Sequence, residues 1–378
     1  MSVWQGLALG RESCALASLG PDPEQVQCVV YRCGDESLSR LCSSEVRVPN
    51  LETLRGDCNI LTKKFAAAEF SNRLEDPLRN TGGDIDGLAI VVPYHTSPIA
   101  RECVVTALSN TLHNAVKKGW IHLSNQGQGR PAENLVTCVE SPFALWAGLD
   151  GKPFGRGASV GMIVPGLRKS VEVSILGFNG ALRMLWTGEA DEMTLGAVFE
   201  SARATVVSIP TRWVVTSESI AARLRNVLSG IPLEVDVIRE WEQHAAKGSA
   251  RLLADRTGDQ RVALSRIAPR TVGIFCQDTE NDAEFFWRSL WNRGATDTDL
   301  RLPVTLQVEG IEGAGLDIVC AAILDDTVSN DWIHWSQTER DRPKMIWWND
   351  APRRPMPLNS RGELTFTPIL DEFGARLT

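Results

Sequence analysis

The sequence predicts an α/β protein whose core combines short apolar strands with amphipathic helices, followed by a smaller β-rich region. Leu88–Val92 is an apolar run that ends at Pro93, as a buried strand does. Over residues 98–118 the apolar side chains recur at i, i+3 and i+4, which predicts a helix with one buried face. Ala158–Val164 and Ser170–Phe178 are further apolar runs that predict a hairpin.

The remaining elements follow from similar local patterns. Val3–Ser18 predicts a β-hairpin that turns at Gly10–Glu12, because glycine tolerates the backbone conformations of tight turns. Gly248 lies in an Ala-x-Gly-x-Ala pattern, and we expect it to let its helix approach a sheet closely. Further elements are predicted at Gln25–Cys33, Asn59–Phe70, Glu140–Asp150, Arg212–Leu228 and Glu240–Leu253. Short strands are predicted later, at Thr271–Cys276, Phe285–Trp291, Val304–Glu309 and Leu316–Ile323.

Composition limits the class of protein. The 378-residue chain is 43% hydrophobic and 23% charged, which is typical of globular proteins and sufficient for two or three domains. A net charge of −8 argues against broad affinity for the phosphate backbone of nucleic acids. The nine cysteines include no CxxC pair, which favours buried thiols in a reducing cytoplasm over a zinc site. No apolar run approaches the ~20 residues of a membrane span, so we expect a cytoplasmic protein with no membrane partner.

Three short motifs in this order resemble the nucleotide-binding domain of a known family. A Val-Pro pair at 92–93 ends a strand, Glu140-Ser-Pro-Phe-Ala-Leu-Trp-Ala-Gly-Leu-Asp150 opens a helix, and Val173-Ser-Ile-Leu176 continues a hairpin strand. Together with the order of elements, they resemble the DnaK-type heat-shock chaperones, which belong to the actin-like ATPase superfamily. The resemblance implies an actin-like (ribonuclease H-like) two-lobed ATPase fold.

One lobe of that fold would be reduced, because Trp186–Ala204 leads almost directly to Thr205–Ile209, where the family has a large lobe. The resemblance implies a degenerate ATPase-like domain over 1–258 and a short, β-rich region over 259–325 that is similar to the chaperone substrate domain. A tail rich in tryptophan, proline and arginine would then occupy 326–378.

The first phosphate loop of the family is altered in this chain. The family has an aspartate that holds the metal-water shell, then a glycine and two threonines that wrap the phosphates. Gly10 fits that pattern, but Ala8 stands in place of the aspartate, and Arg11 and Glu12 stand in place of small hydroxyl residues. An alanine cannot orient a metal-bound water, and a glutamate would be repelled by a triphosphate.

The second phosphate loop is altered as well. Matching Val173-Ser-Ile-Leu176 to the family pattern puts Pro165 in place of a second aspartate, followed by Gly166. Arg168 and Lys169, with Leu167 before them, then replace three glycines, and Ser170 replaces a threonine. Those glycines let backbone N–H groups approach phosphates, which side chains would block. The two basic residues could attract an anion, mimic the bound charge by closing the cleft, or form a solvated turn.

Two other contacts to the nucleotide are implied by the resemblance. Glu140 matches a glutamate that touches the metal shell, although a carboxylate at a helix N-terminus is also stabilised by the helix dipole alone. Thr216 and Ser217, with Glu218, stand in place of a Gly-Gly-Ser that lies against the adenosine. The cleft would therefore differ from the family at both phosphate loops and at the adenosine contact.

This joint loss predicts a catalytically inactive, chaperone-like pseudo-ATPase that serves as a scaffold or adaptor and needs no cofactor. The alternative is a nucleotide-dependent ATPase switch that binds ATP and magnesium through substituted residues, with Glu140, Glu172 and Ser170 around the metal. Those two hypotheses differ in whether magnesium-ATP binds at all.

The tail suggests how such a scaffold would bind its partners. Large aromatic residues beside arginines and prolines are typical anchors of protein interfaces, and here they are Trp332, Trp335, Trp347, Trp348, Arg353 and Arg354. The expected partners are proteins, among them an intact chaperone-like protein whose cleft this chain would complement. A tail folded back on its own domain explains the same residues, whereas the many interspersed aspartates disfavour nucleic acid.

Overall fold

The computed structural model describes residues 3–10, 13–20, 26–32, 45–46, 78–79, 84–124, 135–149, 158–166, 170–191, 194–205, 208–257, 263–277, 284–301, 303–307, 317–323, 333–336, 345–347, 363–371 and 374–377. The chain divides into two compact units. The first comprises Met1–Ser43, Phe65–Thr96 and Arg101–Ser265, and the second comprises Ser44–Lys64, Ser97–Ala100 and Arg266–Thr378.

The first 265 residues contain both strands and helices. In chain order they are β1 (Trp4–Leu9), β2 (Ser13–Leu19), β3 (Val26–Arg32), β4 (Glu45–Val46), β5 (Asp84–Ile85), β6 (Gly87–Val92), α1 (Pro98–Lys117), β7 (His122–Leu123), β8 (Val136–Glu140), α2 (Ser141–Gly148), β9 (Ser159–Pro165), β10 (Val171–Phe178), β11 (Ala181–Ala190), α3 (Leu195–Thr205), β12 (Arg212–Val215), α4 (Glu218–Val227), β13 (Glu234–Val237), α5 (Trp241–Thr257) and β14 (Ala263–Ser265). Of these, β4 belongs to the second unit.

The first sheet of the first unit has five strands in the order β3-β2-β1-β6-β8. The strands β1, β2 and β3 are antiparallel neighbours, whereas β6 runs parallel to β1 and β8 runs parallel to β6. Every residue of β6 is buried, as expected for a parallel strand with both faces covered. We call this sheet, with α1 and α2, the first half.

The second sheet repeats the arrangement of the first. Its order is β13-β12-β9-β10-β11-β14, and its antiparallel and parallel pairs recur at the same places. Without the added β14, both sheets have the strand order 3-2-1-4-5. We call β9–β13 with α3 and α4 the second half; α5 follows β13 in the chain but packs on β1, β2 and β6 of the first sheet. This duplication is the ribonuclease H-like core of an actin-like ATPase fold, so the predicted fold class is confirmed.

The link between β11 and β12 is short, as predicted for a reduced lobe. It spans residues 191–211, and its described helix is α3, which packs its buried Phe199 edge-on against Trp213 of β12. Trp213 in turn fills the space beside Gly161 of β9, where a methyl group would overlap the indole ring. The apolar core of the second half therefore forms between α3, α4 and the sheet.

The helices α2 and α5 cross in direct backbone contact. A methyl group at Gly248 of α5 would overlap the Ala144 carbonyl of α2, and one at Gly148 of α2 would overlap the His244 carbonyl of α5. Ala144 lies four residues before Gly148 in α2. In the same way, His244 lies four residues before Gly248 in α5. The contact is therefore reciprocal, and the two backbones touch because neither helix has a side chain there.

The expectation that Gly248 lets its helix approach a sheet is wrong. Its neighbour is the backbone of α2, and Gly6 is the residue that brings a strand against α5. A methyl group at Gly6 of β1 would overlap the Ala246 carbonyl of α5. One face of α5 thus packs on β1, and an adjacent face packs on α2.

Most of the predicted elements of the first unit are present. The hairpin at Gly10–Glu12, the third strand and the helices at Glu140–Asp150 and Glu240–Leu253 are confirmed as β1–β2, β3, α2 and α5. The strands β8, β11 and β13 were not predicted. The helix predicted over Asn59–Phe70 lies outside the described residues. No helix in the described ranges is both long and apolar enough to cross a membrane.

The second unit is rich in β-strands, as predicted. Its later strands are β15 (Val272–Gln277), β16 (Glu284–Trp291), β17 (Val304–Gln307), β18 (Asp317–Ile323), β19 (Ile333–Ser336), β20 (Met345–Trp347), β21 (Glu363–Phe366), β22 (Pro368–Asp371) and β23 (Gly374–Leu377). A six-stranded sheet has the order β19-β16-β15-β18-β20-β4, and β17–β21 and β22–β23 form two-stranded pairs. The four strands predicted after Arg261 are β15 to β18.

Candidate functional site

A cleft of about 600 Å³ is formed by both halves of the first unit. It is lined by Ser13, Val30, Pro165, Val171, Thr216, Ser217, Ile220, Arg239, Glu240, Trp241, Glu242 and Gln243. These residues come from the two hairpins, from β3, and from the starts of α4 and α5 with the residues just before them. Three predicted cleft residues, Pro165, Thr216 and Ser217, are therefore brought together with Ser13 of the first hairpin.

The first hairpin has a tight turn in the position that the resemblance assigned to a phosphate loop. The Gly10 N–H donates to the Ser13 carbonyl at 2.8 Å. Ala8 is fully buried in β1, opposite Ala15 of β2. Arg11 lies outside the described residues. A turn of the predicted kind is present, and the described strand residues before it carry no carboxylate.

The Glu242 carboxylate, from the first turn of α5, covers this hairpin turn. A methyl group at Gly10 would overlap Glu242 Oε1, so the two residues are in direct contact. The Ser13 hydroxyl donates to the same oxygen at 3.3 Å. Burial raises the pKa of the Glu242 carboxyl above its ordinary value, although hydrogen bonds from its own backbone, Ser13 and Trp241 lower it. The sequence reasoning missed Glu242.

The second hairpin also closes without a carboxylate at the strand end. Pro165 is the last residue of β9 and lies opposite Val171 of β10, and the Gly166 N–H donates to the Ser170 carbonyl at 3.0 Å. The Ser170 hydroxyl donates to Glu189 Oε1 at 2.6 Å, so it is directed to β11. Arg168 and Lys169 lie outside the described residues.

The register of the two hairpins allows a direct comparison. In the first hairpin the last pair before the turn is Leu9 with Cys14, and in the second it is Pro165 with Val171. Leu9, rather than Ala8, is therefore the structural counterpart of Pro165. Whichever of these residues is taken as the metal-side position, the side chain is apolar.

Glu140 is neutralised by an arginine of the first half. Arg101 Nη1 lies 2.8 Å from Glu140 Oε1, and both side chains are almost completely buried. Arg101 also donates to the Thr96 carbonyl at 3.1 Å and to the Tyr94 carbonyl at 2.9 Å. A buried ion pair with this many hydrogen bonds holds its carboxylate in place. Glu140 is thus a partner of Arg101 in the core.

Glu172 is also held by the protein itself. It is fully buried on β10 and accepts hydrogen bonds from the backbone N–H groups of Tyr94 and His95, each at 2.9 Å. Burial raises the pKa of Glu172 to about 7, while those two hydrogen bonds lower it and the nearby Glu189 raises it further. Near neutral pH this carboxyl group is therefore partly protonated.

Thr216 and Ser217 lie where β12 gives way to α4. Ser217 is the N-cap of α4, and its hydroxyl accepts from the Ile220 N–H at 3.3 Å. This is the usual role of a serine at a helix start. The pair thus combines a structural task with a place in the cleft wall, where the family has a Gly-Gly-Ser.

The described residues do not offer a ligand set for magnesium. Glu140 binds Arg101, Glu172 binds backbone N–H groups and Ser170 binds Glu189, so the three residues of the alternative hypothesis are directed to different partners. Among the described residues no group of three or more His, Cys, Asp or Glu is arranged to hold a metal ion. The geometry does not fit a magnesium-nucleotide bound in the family's manner.

The predicted partner-binding residues are only partly described. Trp335 lies in β19 opposite Phe285, and Trp347 lies in β20 opposite Ala321. Trp332, Trp348, Arg353 and Arg354 lie outside the described residues.

No family model matches the chain, and no curated protein matches it. YeaZ from Pseudomonas aeruginosa is a structural neighbour at 12% identity and a TM-score of 0.34, covering 68% of this chain and 94% of that one. Inorganic polyphosphate/ATP-glucomannokinase from Arthrobacter sp. strain KM has 11% identity and a TM-score of 0.38, covering 68% and 100%.

A third neighbour is a Bacteroides thetaiotaomicron protein with actin-like ATPase fold and unknown function, at 10% identity and a TM-score of 0.33, covering 66% and 95%. The fold class of this chain follows from its duplicated strand order, 3-2-1-4-5.

Proposed function

We propose that this protein is a pseudo-ATPase of the actin-like fold: it does not hydrolyse ATP, and it acts as a scaffold that binds other proteins. The observation that carries the proposal is the Glu242 carboxylate, which lies against Gly10 and accepts from Ser13 at the first hairpin turn. A carboxyl group of the protein thus lies against the turn where the resemblance implies a bound phosphate.

Electrostatics supports the exclusion of a triphosphate. Two like charges ~4 Å apart repel by about 1 kcal/mol in water and about 4 kcal/mol near a protein surface. Glu242 is half-buried, and Glu240 adds a second carboxylate to the cleft wall. The strand ends at Leu9 and Pro165 supply no carboxylate for a metal that would offset this repulsion.

The scaffold role is supported by what the chain keeps. The duplicated core, the reciprocal helix crossing and a β-rich second unit are all present. The tail adds tryptophans and arginines of the kind that anchor protein interfaces. A chain that keeps its framework while its cleft loses metal-side groups fits a protein that presents surfaces to partners, and an intact chaperone-like protein is one candidate.

A nucleotide-dependent switch is the second candidate, and the size of the cleft favours it. About 600 Å³ is within the range of small-molecule sites, and Arg239 adds a cation to the wall. In that case ATP and magnesium would be bound by residues other than those of the family.

Titration with magnesium-ATP separates the two candidates. We expect no heat in calorimetry, no rise in melting temperature at millimolar ATP and no release of phosphate. A ligand at a hundredfold excess over its Kd stabilises the folded state by ~2.7 kcal/mol, so binding would be visible in the thermal scan. A clear shift would contradict the pseudo-ATPase proposal.

The variant Glu242→Ala tests the cause. If its carboxylate excludes phosphates, the variant should bind ATP or inorganic phosphate at least about tenfold more tightly than the wild-type protein. Glu240→Ala removes an equal charge from an exposed position of the same cleft without exposing Gly10, so solvent screening should make its effect on binding smaller than that of Glu242→Ala. Equal effects of the two variants would mean that Glu242 acts only through net charge. Affinity purification of the full chain, with recovery of a stoichiometric protein partner, tests the scaffold role.

A further inference from the structure

A buried carboxyl group joins the two halves of the first unit. Glu172 of the second half is fully buried, and it lies directly across the sheet from Glu189. Its two oxygens accept from the Tyr94 and His95 N–H groups, which belong to the loop after β6 in the first half. A side chain of one sheet therefore fixes the loop at the end of a strand in the other sheet.

Ser141, the first residue of α2, contacts the same carboxyl group. Its Oγ lies 3.2 Å from Glu172 Oε2 and 3.1 Å from the backbone carbonyl of Val92 at the end of β6. Both of those oxygens are acceptors when Glu172 is ionised, but a serine hydroxyl has a single proton to donate. In the ionised state, therefore, only one of the two contacts is a hydrogen bond at any moment.

Protonation of Glu172 removes this conflict. With a proton taken from solvent onto Oε2, Glu172 donates to Ser141 Oγ, and the Ser141 hydroxyl donates to the Val92 carbonyl. Both short contacts are then hydrogen bonds, and β10, α2 and β6 are joined in one chain of donors. Loss of the proton to solvent restores the competing arrangement.

We propose that Glu172 and Ser141 form a proton-dependent hydrogen-bond switch that changes how the two halves of the first unit are joined. The switch lies beside the cleft, because the cleft-lining Val171 precedes Glu172 and Pro165 pairs with Val171. The proposal goes beyond the scaffold function and does not depend on whether the cleft binds nucleotide.

The surroundings of Glu172 place its protonation near neutral pH. Burial is the main cause that raises the pKa of Glu172 to about 7, and the Glu189 carboxylate on β11 adds to it, while the hydrogen bonds from the His95 and Tyr94 N–H groups and from Ser141 lower it. The other titratable or charged groups facing the switch are His95, whose ring contacts Thr187 at 3.0 Å, and the Arg101–Glu140 pair, which reaches the same loop through Tyr94.

The sign of the pH dependence follows from this raised pKa. Glu172 binds its proton more tightly in the folded chain than in the unfolded one, where the pKa is near 4.5. Its contribution to stability is therefore fully present below about pH 4.5 and is lost as the pH rises through 7. Glu172→Gln should remove this part of the decline.

The decisive experiment compares Ser141→Ala with wild type at about pH 5 and about pH 9, in urea unfolding of the full chain without nucleotide. At the higher pH the substitution removes a hydrogen bond to a buried, ionised carboxylate, which is stronger than one to a neutral group and lowers the pKa of Glu172, so the unfolding constant should rise about fivefold more than at the lower pH. In a Glu172→Gln background, the cost of Ser141→Ala should be the same at both values. An equal cost at both values in the wild-type background would overturn the proposal.

Two further measurements keep the test independent of any one variant. Ser249→Ala removes another buried hydroxyl, which donates to the Ala246 carbonyl on α5, and its cost should not change with pH. The carboxyl carbon of Glu172, followed by NMR in the wild-type chain, should titrate near 7. A midpoint below about 5 would also overturn the switch.

Discussion

The two halves of the first unit have the same strand order and directions, but they treat the ends of their strands differently. In the first half the loop after β6 is closed by the core, since Arg101 and Glu172 bind its carbonyl and N–H groups. In the second half the corresponding end of β12 opens onto the cleft at Thr216 and Ser217. The two halves therefore share their strand topology but differ in the side chains at their strand ends.

The two hairpins also differ in the side chains that they bury. Glu172 is the second residue of β10, and its counterpart by register in β2 is Ala15, so the buried carboxyl group exists in one half alone. The outer edges differ too: β11 is paired with β14, whereas among the described strands β3 ends its sheet, with Val29 51% exposed. What the halves share is the framework, and what distinguishes them lies at the cleft and the edges.

The largest expected effect concerns the reciprocal backbone contact between α2 and α5. Gly248→Ala places a methyl group on the Ala144 carbonyl, which belongs to a backbone that cannot move aside easily. We expect a loss of about 3 kcal/mol or more in urea unfolding. Gly148→Ala should cost a similar amount, because it meets the His244 carbonyl in the same way.

Gly196→Ala is the matched control for this pair. It adds the same methyl group to a helix, but nothing lies within 4 Å of the position. Stability should stay unchanged or rise by up to ~1 kcal/mol, as expected from helix propensity. If Gly148→Ala proved as harmless as Gly196→Ala, the crossing would not be reciprocal.

A second prediction concerns the closed end of the first half. Arg101→Met leaves the fully buried Glu140 without its guanidinium, and breaking a buried pair in this way costs about 3 to 5 kcal/mol. The double variant Arg101→Met/Glu140→Leu should recover a large part of that loss, because it removes both charges. Full recovery is not expected, since the Tyr94 and Thr96 carbonyls lose a donor. Urea unfolding of the wild-type protein, the single variants Arg101→Met and Glu140→Leu, and the double variant measures the coupling.

A double variant as unstable as Arg101→Met alone would show that the charge of Glu140 is not the source of the cost. The packing of the Arg101 side chain, which is 1% exposed, would then be responsible.

Much of this framework could be predicted from the sequence because it is encoded locally. The turn at Gly10 and the helix after Glu140 depend on neighbouring residues, so turn chemistry and apolar spacing were sufficient. The predicted partner of Gly248 was wrong for the opposite reason. A glycine indicates a close approach, but it does not indicate which backbone approaches.

The contacts that decide the site are distant in sequence, and no local pattern announces them. Ser13 and Glu242 are 229 residues apart, and Arg101 and Glu140 are 39 apart. The sequence leaves two interpretations of Glu140 open, and the structure adds a third, an ion pair with Arg101 of α1. The duplication of the fold could not be recognised from the sequence either. Ala15 and Glu172 occupy equivalent positions in the two hairpins, but their side chains are chemically unrelated.

The smallest predicted effect concerns the open end of the second half. Ser217→Ala removes the cap of α4, a ten-residue helix that buries only Ala221 and Leu224 on the core, and should cost about 1 kcal/mol. Ser217→Gly should cost only a few tenths of that, because glycine is tolerated at this position. Ser219→Ala removes a hydroxyl 3.0 Å from that of Ser217 without removing the acceptor for Ile220, so it should change stability by less than about 0.5 kcal/mol. If Ser219→Ala cost as much stability as Ser217→Ala in urea unfolding, the contact between the two hydroxyls, rather than the helix cap, would stabilise this wall of the cleft. The strand end of the second half would then be held by side-chain contacts, as the strand end of the first half is.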